Sequence, residues 1–302
     1  MLRRSDGHTM AAGTEEGTLT TPVSPEHDPD NEHFSFQNDY PPNPQQRGTV
    51  LAFLSGEERD LYSEHNVRFW MNSGTAPHDS RPFGNIMKHL KELFPGASHS
   101  TSIMKFLAHV VRIEYHTESI VRLSSFCDLV RWFGPFREIV YNQKKTCVCL
   151  CNLELLMTES QVLVSKQKMS WFAGHMSSAA AEEKLRGQPS GTYLVRFSES
   201  ERETGSFALS INVADGGGTE HVTIQGDPKM VNSEVAAKRD DPNLWLQYCA
   251  DSDGRTYPSL PVLMNKRLME DSFHDDHEDT ACETACPDLP LNAIFKAYKN
   301  KT

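Results

Sequence analysis

GTYLVRFSES, residues 191–200, alternates like a short β-strand but carries an arginine in its middle. Tyr193, Val195 and Phe197 fall on one face, and Leu194, Arg196 and Ser198 on the other. An unpaired charge moved from water into apolar surroundings costs several kcal/mol, on the order of the whole stability margin of a domain. Arg196 therefore needs a partner, either an internal carboxylate or a group that arrives from outside.

The rest of the chain sets the frame. Its 302 residues suggest two domains plus flexible segments, and 38% of them are hydrophobic. The formal net charge is −11 with no run of lysine or arginine, which argues against nucleic acid as a partner. The start, MLRRSDGHTMAAGTEEG, has two arginines but no apolar stretch behind them, so no secretory signal is expected, and no window is apolar enough to span a membrane. Seven cysteines, an odd number, fit reduced thiols better than a disulfide framework. A soluble cytoplasmic protein is expected, with the nucleus as the other compatible compartment.

Residues 1–47 are rich in Thr, Ser, Pro, Glu and Asp and have almost no aliphatic side chains, so a disordered tail is expected. Residues 48–165 read as a mostly helical unit. Ser55 and Glu58 form a capping-box pattern. FGNIMKHLKELF then puts Phe83, Ile86, Met87, Leu90 and Phe94 on one helical face before Pro95-Gly96. SIMKFLAHVVRI repeats the pattern, and SSFCDLVRWF adds a helix with Ser124 or Ser125 as cap and Gly134-Pro135 as stop. TCVCLCNLELLM is too uniformly apolar for periodicity to decide between strand and helix; as a strand it would carry Cys147, Cys149 and Cys151 on one face. From residue 168 the order becomes a short helix (SSAAAEEKL), three antiparallel strands (TYLVRFS, SFALSINV, HVTIQ) and a later helix (SLPVLMNKRL). That order predicts an α+β sandwich, with an antiparallel sheet between two helices, over 168–268. Residues 269–302 read as an acidic loop and a C-terminal helix, LNAIFKAYKN.

The stretch WFAGHMSSAAAEEKLRGQPSGTYLVRFSES resembles a Src-homology-2 domain, the phosphotyrosine-binding module. Trp171-Phe172, Gly174 and Tyr193-Leu194-Val195-Arg196 stand at its signature positions, HVTI places His221 near the phosphate, and YPSLPVLM resembles the second helix. VRFSES is most similar to the STAT and amoebozoan kinase-linked branches. The resemblance implies a binding module or adaptor for tyrosine-phosphorylated proteins and peptides, not an enzyme, with no cofactor. Arg196 would hold the phosphate, helped by Ser198, Glu199, Ser200 and His221. Elementary chemistry agrees: Ser198 shares a face with Arg196, and Ser200 with the amides of the loop 199–205 can close an anion-binding nest. A guanidinium grips two phosphate oxygens at once, each bond contributing about 1.5–3 kcal/mol. His221 serves equally as a polar strand residue facing solvent.

Departures from the family pattern bear on affinity. Ser178 stands where many members carry a second cation, and Thr223 where a Lys or Arg is common. They keep a second reading open, a structural scaffold with weak or lost phosphate binding. No H-E-x-x-H, G-x-S-x-G, phosphate-loop or kinase signature is present.

The upstream helices resemble the STAT linker and the EF-hand-like part of the Cbl phosphotyrosine-binding region. EYHTESIVRLSSF matches a calcium loop at Glu114, His116 and Glu118, but Ser119 replaces the turn glycine and Ser125 the bidentate glutamate, so an EF-like pair that serves packing alone is expected. A complete STAT or Cbl is not expected, since neither a DNA-binding domain nor a RING pattern is read in these residues. His274, His277, Cys282 and Cys286 have a spacing chemically competent for tetrahedral zinc, in a composition that suits an unstructured acidic loop equally well.

Overall fold

The computed structural model describes residues 64–74, 79–141, 143–164, 167–213, 218–226, 248–250, 256–257, 259–270 and 282–298. The tail 1–47, the Ser55–Glu58 cap, His274 and His277 lie outside them.

Two helix–loop–helix units come first. Helix α1 (Glu64–Asn72) leads through β1 (Ser80–Pro82) into α2 (Phe83–Leu93), and α3 (Thr101–Val110) leads through β2 (Ile120–Arg122) into α4 (Leu123–Phe133). The strands pair antiparallel, with Arg81 opposite Val121, and tie the two loops together. The apolar spacing works as expected: α2 buries Phe83, Ile86 and Leu90, and α3 buries Ile103, Phe106, Leu107 and Val110. Ser100 caps α3 by accepting a hydrogen bond from the Ile103 amide at 3.3 Å. Helix α4 corrects the expectation of a serine cap. Its N-cap is the extended Arg122 with no side-chain bond, because the chain enters the helix straight from β2, leaving Ser124 and Ser125 inside the first turn. Gly134, at φ 83°, stops it.

A hairpin of β3 (Glu138–Tyr141) and β4 (Lys144–Cys147) precedes α5 (Val148–Glu159). The undecided apolar run is thus a helix, and its cysteines do not share a strand face: Cys147 caps α5 while Cys149 and Cys151 lie within it. All three are buried. The helix packs against α3, α4 and a later helix, so it is enclosed on most sides and no amphipathic period survives. A second hairpin, β5 (Gln161–Val164) with β6 (Gln167–Ser170), fills the junction to the sandwich.

The sandwich follows: β7 (Phe172–Gly174), α6 (Ser178–Leu185), β8 (Thr192–Phe197), β9 (Phe207–Val213), β10 (Gly218–Gly226), β11 (Tyr248–Ala250), β12 (Thr256–Tyr257) and α7 (Leu260–Glu270). The sheet order is β12-β11-β10-β9-β8, with β7 parallel to β8. On one face α6 sets Ala181 and Leu185 against Leu194. On the other, Phe197 meets Trp132 of α4 with ring centroids 4.0 Å apart, and Phe172 meets Phe106 of α3 at 6.1 Å. One continuous core runs from Val67 to Tyr298.

The C-terminal segment adds β13 (Thr284–Ala285), parallel to β8, and α8 (Asn292–Lys296). Phe295 of α8 stands edge-on to Phe106, centroids 5.0 Å apart, and the Asn292 side chain accepts from the Ser170 amide at 2.8 Å. The strap therefore joins helices and sheet. Cys286 is buried beside Ala173, Ala181, Leu185 and Leu194, packed as a small apolar side chain, and Cys282 is also buried. Among the described residues no group of three or more His, Cys, Asp or Glu is arranged to hold a metal ion.

Candidate functional site

Strand β8 is covered on both faces, so every side chain from Thr192 to Phe197 is buried. Arg196 has room there because its neighbours on the adjacent strands are small, Gly174 on β7 and Ala208 on β9. As a whole residue Arg196 is 4% exposed. Its shortest bond runs from Nη2 to Ser178 Oγ at 2.8 Å; Nε donates to Ser210 Oγ at 3.4 Å, and Nη1 faces the Met176 and Phe197 carbonyls at 3.5 Å. Every one of these partners is neutral. Burial lowers its pKa from the ordinary value, while the Glu199 and Glu182 carboxylates, at longer range, push it back up.

Helix α6 brings Ser178 to this point. Ser177 caps it, accepting from the Ala180 amide at 3.1 Å, so Ser178 begins the first turn and the helix N-terminus sits beside the guanidinium. Register pairs Leu194 with Ser210 and Ser210 with His221, so those polar side chains share the face of Arg196. His221 Nδ1 lies 2.9 Å from Ser210 Oγ, and Nε2 lies 3.3 Å from Glu182 Oε1 at the exposed rim. Thr223 occupies the same face of β10, two residues on.

Beyond the end of β8, buried Ser198 and exposed Ser200 have their hydroxyls 3.3 Å apart, and the Glu201 amide donates to Ser198 Oγ at 3.3 Å. The loop closes on itself through Ser198 N to Ser206 O at 3.1 Å and through Gly205, at φ 69°. That glycine is required twice, by the left-handed turn and because an added Cβ would lie 2.5 Å from the Arg131 carbonyl oxygen.

The Glu199 carboxylate bonds Arg112 rather than Arg196. Both of its carboxylate oxygens accept from Arg112 Nη2, at 2.6 and 2.7 Å, and His175 Nδ1 is 3.4 Å away. Burial pushes the carboxyl pKa up, but the Arg112 bond and charge outweigh it and hold the group below its ordinary value. Further contacts pin the loop to α4: Trp132 Nε1 donates to the Ser206 carbonyl at 3.2 Å, and Arg202 pairs with the buried Asp128. Of the residues named from sequence, His221 reaches Arg196 through Ser210, Ser198 bonds Ser200, and Glu199 bonds Arg112. Sequence reasoning missed Ser210, which strand alternation on β9 could have found, and it missed Arg112 and His175.

The site is a buried, neutrally partnered arginine beside a helix N-terminus and a hydroxyl-rich loop. A family model described as SH2 domain matches residues 171–245. The chain carries an SH2 domain. Such a domain is a non-catalytic signalling module that binds phosphotyrosine-containing partners. Two kinases of Dictyostelium discoideum are similar to part of the chain. Dual specificity protein kinase shkA is 30% identical over 131 residues, 41% of this chain and 21% of the kinase. Dual specificity protein kinase shkC is 30% identical over 104 residues, 34% of this chain and 17% of the kinase. The chain thus spans about a fifth of the length of these curated relatives. The solution NMR structure of the Monosiga brevicollis CRK/CRKL homolog (crka1) SH2 domain covers 41% of this chain and 91% of its own, at 20% identity and a TM-score of 0.27. Among the described residues, no helix is long and apolar enough to cross a membrane.

Proposed function

We propose that this chain is an adaptor that docks tyrosine-phosphorylated proteins through Arg196. The observation that carries the reading is Arg196 itself, a buried residue whose guanidinium bonds only hydroxyl and carbonyl oxygens. A phosphate dianion supplies the countercharge this group lacks. Ser198, Ser200 and the loop amides then donate to the remaining phosphate oxygens. Glu199 contributes through its backbone amide, its carboxylate being engaged by Arg112. His221 adds a charge at the rim when protonated.

Two helix–loop–helix units joined by β1 and β2 support an EF-hand-like reading of the helical part, serving packing rather than calcium, since Ser119 and Ser125 occupy the turn and bidentate positions. The Dictyostelium kinases among the relatives support the amoebozoan kinase-linked branch for the SH2 domain. Cytoplasm is the compartment this reading assigns, with the nucleus also compatible.

The test passes the full chain over matched peptide libraries, tyrosine-phosphorylated and unphosphorylated, with wild type and Arg196→Ala side by side. Selective retention of phosphorylated peptides by wild type alone is expected. Equal retention of both libraries by wild type would instead favour the scaffold reading, which Ser178 and Thr223 support by leaving those positions without a cation.

A further inference from the structure

Helix α3 ends in a left-handed turn where helices most often have glycine. Ile113 N donates to Ala108 O and Arg112 N to His109 O, both at 3.0 Å, and Arg112 itself has φ 59°. A residue with a Cβ is strained in that conformation. An arginine at such a place suggests that its side chain is wanted there. The side chain spans 87 residues of sequence to reach the phosphate-side loop, where Nη2 bonds both oxygens of Glu199 at 2.6 and 2.7 Å.

Glu199 lies three residues after Arg196, close enough for its charge to act on that guanidinium. Unopposed, the carboxylate would repel a phosphate dianion arriving at Arg196. The first turn of α6 and the β10 strand place Ser178 and Thr223 on this face, so neither offers a charge to offset it. The helical part offers Arg112. It also anchors the far end of the same loop, through Trp132 to the Ser206 carbonyl and through the backbone of Arg131 against Gly205.

We infer that Arg112, from outside the SH2 sandwich, is a positioning residue of the phosphotyrosine site, neutralising Glu199 and tethering the loop 199–206 in its receiving geometry. The inference rests on the phosphotyrosine reading above. Its consequence is that the helical part and the SH2 domain form one binding unit, in which the second cation of the site comes from the helices.

The test uses the full chain, with phenyl phosphate as probe of the phosphate pocket and phenol as control, titrated by NMR. Arg112→Gly weakens phenyl phosphate binding by about tenfold, while its melting temperature equals or exceeds that of wild type, because glycine relaxes the left-handed turn. Amide exchange across 199–206 speeds up in the same variant. Glu199→Gln tightens binding, since it frees the Arg112 charge. The double variant binds phenyl phosphate several-fold more tightly than Arg112→Gly, because no carboxylate is left to be neutralised. Wild-type affinity in Arg112→Gly overturns the inference and leaves the phosphotyrosine reading standing. A double variant as weak as Arg112→Gly overturns it too, by making the arginine a mere structural tie. Failure of wild type to bind phenyl phosphate overturns both.

Discussion

Replacing Arg196 by methionine should stabilise the free protein while destroying its binding. Arg196 is a buried residue, and every bond its guanidinium makes in the free domain is to a neutral oxygen. Exchanging a buried ionic group for an apolar side chain of similar length is commonly neutral or stabilising by about 1–4 kcal/mol. The low end applies, because Glu199 and Glu182 favour the charge from a distance. The groups left behind lose little. Ser178 is exposed and turns to water, while Ser210 keeps its contact with His221 at 2.9 Å. A gain of about 1 kcal/mol raises the melting temperature of a chain this size by about 2–4 °C. On the binding side, a bidentate grip on phosphate is worth about 3–6 kcal/mol, so affinity falls by about a hundredfold or more. Thermal unfolding of wild type and Arg196→Met, alongside calorimetric titration with a tyrosine-phosphorylated peptide, reads both effects. A melting temperature lowered by several degrees would refute the reasoning, since it would mean that Arg196 holds the free fold together through an internal partner.

Ser178→Arg should tighten phosphotyrosine-peptide binding by about tenfold, because position 178 lies 2.8 Å from the Arg196 guanidinium and the new charge faces the same dianion. Calorimetry at two salt concentrations checks this, and an unchanged affinity with no steeper salt dependence would count against it. Gly174→Ala should cost about 3 kcal/mol or more, because the glycine sits at φ 71° and its Cβ would come within 2.2 Å of His109 Nε2; a urea midpoint equal to wild type would contradict the geometry. Stability should also fall with acid above the carboxylate range. Burial pulls His89 and His109 down to about 4, with His175 and Arg112 adding to the shift of His109. The unfolded chain takes up these protons near pH 6.5 and the folded chain only near 4, so the stability these residues contribute is complete above pH 6.5 and lost as pH falls through 4. Urea midpoints measured from pH 7.5 to 4 should decline steadily, and a flat profile would be the contrary result.

Much of this protein could be read locally. The alternation in GTYLVRFSES, the amphipathic spacing in FGNIMKHLKELF and the stop at Gly134 are short-range physics, and the structure realises strands and helices at those places. The demand that Arg196 have an unusual partner followed from charge and burial alone. The apolar run that became α5 was illegible because a helix enclosed by neighbours shows no polar face. Strand β13 was hidden for another reason: two residues pairing parallel to β8 leave no periodic trace.

The sequence by itself determined that an arginine sits in a strand, next to the hydroxyls and the turn that suit an anion, because those features lie within ten consecutive residues. Only the tertiary structure decided that Glu199 faces Arg112 rather than Arg196, and that Ser178, Ser210 and His221 converge from three different elements. Such pairings depend on how helices and sheet pack around one shared core, and packing brings together residues whose local sequences carry no sign of each other.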